Sequence, residues 1–261
     1  MTDRAEYLDG PLEHDVLEAN LRDLARFNRW LGGVALTRRA LVALATGFHS
    51  MPRIGRIDWR SRTLRLLDVG TGAADIPDAL LSWTQRRGLR LSVEAVDERH
   101  EILDVAYERV GDRPELRLEH TTGDQLAYAS RSFDVVHASL VLHHLEPGAA
   151  VRLLREMART ADLGVIVNDL DRRRLAWLGA WALTRVITRN RYTRHDAPLS
   201  VRRAYRPTEV AQLATQAGLV EVARFRGFLG HRYAMAFVHA GARPPRETPP
   251  EARGEASAAP G

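Results

Sequence analysis

The chain has no cysteine and no lysine. Without cysteine, disulfides and cysteine-based zinc sites are excluded. Without lysine, all 38 basic residues are arginine, set against 33 acids for a net charge of +5. A positive balance carried by one residue type, in a chain also rich in alanine, reads as a GC-rich coding bias and is weak evidence for nucleic-acid binding. The arginines also alternate with acids along most helical segments, as on a solvated surface. No apolar run approaches the ~20 residues of a membrane span, so stable membrane insertion is not expected. Met1 to Gly10 is acidic and polar, unlike a signal peptide. A cytoplasmic location is the resulting expectation. There are no internal repeats, and 261 residues can bury one full core with additions.

What is present is organised around Leu64-Arg-Leu-Leu-Asp-Val-Gly-Thr-Gly-Ala-Ala-Asp75. Leu64 to Val69 reads as a buried strand, Gly70 and Gly72 as a tight turn, and Ile76 to Trp83 as the start of a helix. Glycines at the end of a parallel strand let a ligand approach the backbone, and Asp68 puts a carboxylate at that sheet edge. A dinucleotide site wants a third glycine where this chain has Asp75, and a pyrophosphate is poorly served by a carboxylate at a helix start. An ordinary strand-to-helix turn is the plain alternative. Asp68-Val-Gly-Thr-Gly72 closely resembles motif I of the class I S-adenosylmethionine (SAM) methyltransferases. SAM is cationic and has no phosphate, so nearby carboxylates suit it.

Along the chain, residues 1–12 look flexible. Val16, Leu17, Leu21, Leu24, Phe27 and Leu31 recur at helical spacing. Gly32-Gly33 breaks that helix, and a second follows over about 35–46. These helices either pack against the domain or form a lid over its cleft. From Leu64, strand and helix alternate as in a parallel sheet. Strands are expected at 64–69, 91–96, 116–120, 133–138 and 163–168, and helices at 75–87, 99–110 and 148–160. A long helix then runs from about Asp171 to Arg189, followed by an arginine-rich loop over 190–203. Pro207-Thr208-Glu209 reads as a helix start with Thr208 as N-cap. Strands at 220–227 and 232–239 form an antiparallel pair, and the composition after Gly241 is that of a disordered tail.

The expected fold is therefore α/β: a Rossmann-like seven-stranded sheet with a terminal antiparallel hairpin, helices on both faces and an N-terminal helical lid. Residues 1–60 are read as the N-terminal extension, 61–240 as the methyltransferase domain with an insert at 171–205 over the substrate site, and 241–261 as the tail. The order of elements is that of class I methyltransferases, and the resemblance spans about Leu64 to His239.

That resemblance assigns roles. Motif I supplies Asp68, Gly70, Thr71 and Gly72 to the cofactor. Asp97, 25 residues after Gly72, matches the acid that accepts from the ribose diol, with Glu98 beside it; helix capping is its alternative. Thr122-Gly-Asp124-Gln125 resembles the adenine-binding turn, or else a simple Asx-turn. Ser132 to Leu145 resembles the fourth strand and its following loop, passing backbone groups at Ala138 beside the methionine end of SAM. His143 and His144 fall where that loop meets the active site, and histidine is suited to act as a general base. His195, in the insert, is a third candidate base, and His137, inside the strand, reads as structural. A metal site from His137, His143 and His144 lacks the compact spacing of helical ligand pairs, so none is expected.

The implied activity is transfer of the sulfonium methyl of SAM, leaving S-adenosylhomocysteine, to a small acceptor. The acceptor is expected to offer a hydroxyl on an aromatic, polyketide-like or quinone-like framework, because the insert mixes apolar Trp177, Leu178, Trp181, Leu183 and Ile187 with polar Tyr192, His195, Asp196 and Tyr205. The insert also reads as a core-facing stripe, or as an interfacial segment with tryptophans beside Arg172 to Arg174. An RNA methyltransferase has little support: Ala138-Ser-Leu-Val stands where an amino-methylating Asn-Pro-Pro-Tyr motif would be. A SAM-binding protein that transfers no methyl is a further alternative. The chain is read as a monomer or homodimer.

Overall fold

The computed structural model describes residues 6, 10, 12–47, 58–121, 125–188 and 190–241. The sequence expectations for the Thr122–Asp124 turn, for residues 48–57 and for the tail beyond Gly241 lie outside these, as does most of residues 1–12.

Seven strands form one sheet: β1 (Leu64–Val69), β2 (Leu91–Asp97), β3 (Leu116–His120), β4 (Phe133–Ser139), β5 (Ala161–Leu170), β6 (Leu219–Arg226) and β7 (Arg232–His239). Their spatial order is β3-β2-β1-β4-β5-β7-β6. The first five are parallel, while β7 runs antiparallel to both β5 and β6. The sheet is thus the one the sequence leads one to expect. Strand order reverses between β1 and β4, and that switch point is where open α/β sheets bind their ligands.

The helices divide between the faces because the strand side chains alternate. Leu64 and Leu66 of β1, with Ala234 and Ala236 of β7, pack under α2 (Gly33–Thr46), α3 (Asp75–Gln85) and α4 (His100–Val110). Leu67 and Val69, with Tyr233, Met235 and Phe237, pack under α5 (Pro147–Thr160) and α8 (Pro207–Gln216). Leu66 and Leu67 are both fully buried, as parallel strands covered on both faces require. Truncating either to alanine removes about 2–5 kcal/mol. A smaller cluster of Leu17, Leu21, Ala73, Ile102 and Val105 holds α1 (His14–Trp30) across α4 and the glycine turn.

Two local expectations are corrected. Residues 190–203 are not a loop: Arg191–Arg203 is helix α7, which follows α6 (Arg174–Ile187). Asn190 caps it by accepting from the Tyr192 amide at 2.9 Å. Its inward side is mixed, Thr193 reaching Asn20 and Asp23 of α1 at 3.2 and 3.1 Å while Pro198, Leu199 and Val201 are also buried, so it carries no continuous apolar stripe to betray it. The N-cap of α8 is Arg206, not Thr208, because Pro207 takes the first helical position, where its missing N–H costs nothing. Glu209 reaches back to accept from the Arg206 amide at 2.7 Å.

Candidate active site

The turn after β1 is set by sterics. Gly70 and Gly72 both have positive φ, 67° and 57°. A Cβ on Gly70 would stand 2.5 Å from Cγ2 of Val141, in the loop after β4. Glycine is therefore required there both by backbone conformation and by the approach of a neighbouring loop. The Gly70 and Thr71 amides both donate to the Val96 carbonyl, at 2.9 and 3.0 Å, tying the turn to β2.

Asp68 does not line the cleft. The alternation of β1 turns it toward α2, where it is buried. Its Oδ2 accepts from the Thr71 hydroxyl at 2.7 Å, and its Oδ1 lies 2.5 Å from Nδ1 of His137. The other ring nitrogen of His137 is 3.0 Å from the Thr37 hydroxyl of α2. Asp68 thus braces the turn from behind, and His137 holds it there.

The same buried network runs on to Arg232 at the start of β7. Asn168 donates to the Thr37 hydroxyl and to the Gly33 carbonyl at 2.7 and 2.8 Å. The Arg232 guanidinium donates to Asn168, Asn28 and Ser139 at 2.6–2.8 Å. Asn28, from α1, donates in turn to Asp75 at 3.3 Å. Burial lowers the Arg232 pKa to about 10 against the pull of Asp169 and Asp75, leaving it a cation at neutral pH. Burial raises the pKa of Asp75, which the hydrogen bond from Asn28 opposes. No short-range signal marks Asn28, Asp75 or Arg232, since their partners lie 47 to 204 residues apart in the chain.

Above this floor lies a cavity of ≈ 1420 Å³, bounded by Gly70, Thr71, Gly72 and Asp75 on the β1 side and by Asp97 and Glu98 at the tip of β2. Asp97 Oδ2 accepts from the Gly72 amide at 3.0 Å and Oδ1 from the Arg99 amide at 3.3 Å. Burial raises its pKa to about 6, although both amides pull the other way. Each oxygen keeps a further lone pair for a ligand hydroxyl. Of the other expected cofactor contacts, Ala138 is buried in β4 and lies behind the lining, which Ser139, Leu140 and Val141 provide. Gln125 is exposed and off the lining, and Asp124 lies outside the described residues.

Two histidines face the cavity from the single 3₁₀ turn Leu142–His144. His143 is buried, and its Nδ1 is 2.7 Å from Oδ1 of Asp169 at the end of β5. The His143 backbone amide donates to the other Asp169 oxygen at 3.3 Å. Burial acts to raise the Asp169 pKa, but His143 and the Leu170 amide outweigh it and hold it below the usual carboxylate range. An ionised Asp169 fixes the proton on Nδ1, which leaves Nε2 as the basic nitrogen. Nε2 lies 3.9 Å from Glu6 Oε1, and the His144 ring is centred 4.2 Å from that of His143. Glu6, His143 and His144 bring ligand atoms within 4.8 Å of one another, whereas His137 is held in the sheet by Asp68 and Thr37. His195 sits apart on α7, off the cavity lining, with Nδ1 2.9 Å from Asp196. Asp169 went unnoticed in the sequence, although its place at the carboxyl end of a central strand is a signal for it.

The upper walls are apolar. Phe27 of α1 and Leu31 just after it line the cavity together with Leu178 and Leu183 of α6. The cavity therefore joins a carboxylate-lined end, suited to a cationic ligand, to a hydrophobic end, with His143 lining it as well.

Residues 66–164 match the model of a family described as a methyltransferase domain. No curated protein sequence matches the chain. Among solved structures, a SAM-dependent methyltransferase from Aquifex aeolicus is similar with a TM-score of 0.56 and 16% identity, over 84% of this chain and 97% of that one. An O-methyltransferase family 2 protein from Planctomyces limnophilus, in complex with apigenin, gives 0.59 and 18% over 88% and 63%. Human N-acetylserotonin methyltransferase, in complex with SAM, gives 0.59 and 15% over 87% and 56%. At these identities the likeness is one of fold.

Proposed function

We propose that this chain is a class I SAM-dependent methyltransferase that methylates a hydroxyl of a small, largely apolar acceptor, with His143 as general base; the match of residues 66–164 to a methyltransferase-domain model supports the reading. The observation that carries this reading is the His143–Asp169 pair on the wall of a cavity whose other end is lined by carboxylates. The backbone of Gly70 to Gly72 and the side chain of Asp97 would hold SAM, and Asp75 offers an anionic partner for its ammonium group. The donor set fits: it is acidic where the ligand is cationic, and the glycine turn leaves the backbone open to close approach. When bound, SAM supplies an electrophilic methyl on a sulfonium centre.

The chain's own residues would do the rest. The apolar walls exclude water and orient the acceptor, and holding nucleophile and methyl in line supplies most of the acceleration. A phenol is mostly protonated at neutral pH, its pKa being about 10 as in tyrosine. Nε2 of His143 would take that proton as the hydroxyl becomes nucleophilic, and Asp169 would stabilise the imidazolium that results. Arg232 and Asn28 keep α1 seated over the site. Two of the solved relatives, an O-methyltransferase holding apigenin and N-acetylserotonin methyltransferase, carry small aromatic molecules in their names, which supports this acceptor class.

The test is turnover with SAM on a panel of phenolic and quinol acceptors, read as S-adenosylhomocysteine formed. His143→Ala is expected to lower kcat by about 10²–10⁴-fold and to leave the SAM dissociation constant within about threefold. His195→Ala is expected to change neither. Full turnover by His143→Ala would remove the base assignment. Failure of the folded native protein to bind SAM or S-adenosylhomocysteine would remove the reading altogether.

A further inference from the structure

The mouth of the cavity is greasy on its outside as well as its inside. Trp30 at the end of α1 is 69% exposed, Leu175 on α6 is 77% exposed, and Phe228 and Leu229 in the β6–β7 turn are 82% and 76% exposed. All four also line the cavity, so the exposed patch and the interior wall are one continuous apolar surface. Leu229 holds a left-handed backbone, φ 55°, in which a branched side chain is unusual, so the turn keeps two large apolar groups in water at some conformational cost. Helix α6 buries only Ala176 and Thr184 and presents Leu178, Trp181, Val186 and Ile187 outward as well.

The exposed charges that flank this patch in sequence are basic. Exposed arginines stand next to the exposed apolar groups: Arg29 before Trp30, Arg174 before Leu175, Arg185 before Val186, and Arg226 two before Phe228. Neither α6 nor the stretch 226–232 contains an acid. Arg173 packs over Gly230, which brings the base of α6 against the hairpin turn.

We propose that this rim docks on the surface of an anionic lipid bilayer, so that a lipophilic acceptor passes from the membrane into the cavity without crossing water. The two halves of the surface match the two halves of such an interface: apolar side chains enter the acyl boundary, and arginines meet acidic headgroups. A second copy of the chain is a poorer occupant, because it would set arginine against arginine and close the entrance. Attachment is peripheral, since among the described residues no helix is long and apolar enough to cross a membrane. The delivery of an acceptor rests on the methyl-transfer reading; the docking does not.

The experiment is co-sedimentation of the full chain with phosphatidylcholine vesicles, with and without about a third phosphatidylglycerol, at low and high salt. SAM binding by calorimetry on the same samples keeps the two readings separable. The native protein is expected to bind the anionic vesicles at least tenfold more tightly than the neutral ones, and less tightly at high salt. Phe228→Asp with Leu229→Asp is expected to weaken vesicle binding at least tenfold, and Val186→Asp, off the cavity lining, is expected to weaken it while SAM binding stays unchanged. Arg174→Gln with Arg226→Gln is expected to reduce the preference for anionic lipid. Equal binding to both vesicles, no binding to either by a protein that binds SAM, or a dimer in ultracentrifugation that the Phe228/Leu229 variant dissociates, would each overturn the proposal.

Discussion

Asp97 is held between two opposed demands. Its carboxylate closes the glycine turn through the Gly72 amide, yet burial raises its pKa to about 6, against an ordinary 3.8. Keeping it ionised at neutral pH costs the free protein roughly 3 kcal/mol. A raised carboxylate pKa means the folded state binds the proton more tightly than the unfolded one. This group therefore removes stability as pH rises from about 4 through about 6, and restores it as pH falls. SAM affinity moves the other way, because a protonated Asp97 loses acceptor strength. Titration with SAM is expected to show affinity falling on the order of tenfold per pH unit below about 6. Asp97→Ala is expected to weaken SAM by about 1.5–3 kcal/mol and to flatten that pH profile. A profile unchanged in the alanine variant would remove Asp97 from the cofactor site. At Gly70, alanine meets both a positive φ and Val141; Gly70→Ala is expected to lower the melting temperature and SAM affinity together.

At the scale of elements, α1 and α7 are held by polar contacts that a sequence does not advertise. The three central parallel strands β1, β4 and β5 were legible because Leu66-Leu67, Val135-Val136 and Val165-Ile166-Val167 are apolar runs buried on both faces, a pattern that depends on nearest neighbours alone. Helix α7 was not, because polar Thr193, Asp196 and Ser200 share its inward side with Leu199 and Val201, and Pro198 sits inside it. Its order comes from Asn20 and Asp23, some 170 residues earlier. In the same way, the glycine turn after β1 and the place of Asp97 at the tip of β2 could be read from the strand-and-turn pattern, whereas the outward or inward sense of Asp68 depended on where α2 brings Thr37. Arg232 ties these pieces to the sheet, joining β5, β4 and α1 through Asn168, Ser139 and Asn28. Arg232→Met leaves these acceptors unpaired and removes one of the two arginines, with Arg109, that act on Asp75. It is expected to cost about 3–5 kcal/mol, seen as a fall of ~6–20 °C in melting temperature. A fall of less than ~2 °C would mean that the network contributes specificity rather than stability.

For the molecule as a whole, the described chain divides into a dense two-faced sandwich and a thinner cover of α1, α6 and α7 over its switch point. The sandwich buries apolar side chains on both faces of the sheet, whereas α6 buries two small residues and α7 several polar ones. Local opening draws on the least buried elements first. Amide hydrogen exchange of the free protein is therefore expected to be slowest in β1, β4 and β5 and fastest, among the helices, in α6. Adding SAM should slow exchange in the Gly70–Gly72 turn and at Asp97, which lie at the carboxylate end. Adding an acceptor as well should slow α6 and the end of α1, because Leu178, Leu183, Phe27 and Leu31 close the apolar end. The order matters: protection of α6 by SAM alone would mean that the cover closes on the cofactor, and the acceptor would then have to enter before closure. Protection only with both ligands would make the acceptor's own apolar surface the agent that closes the site, which is the outcome expected from a cover that lines the acceptor end with Phe27, Leu31, Leu178 and Leu183.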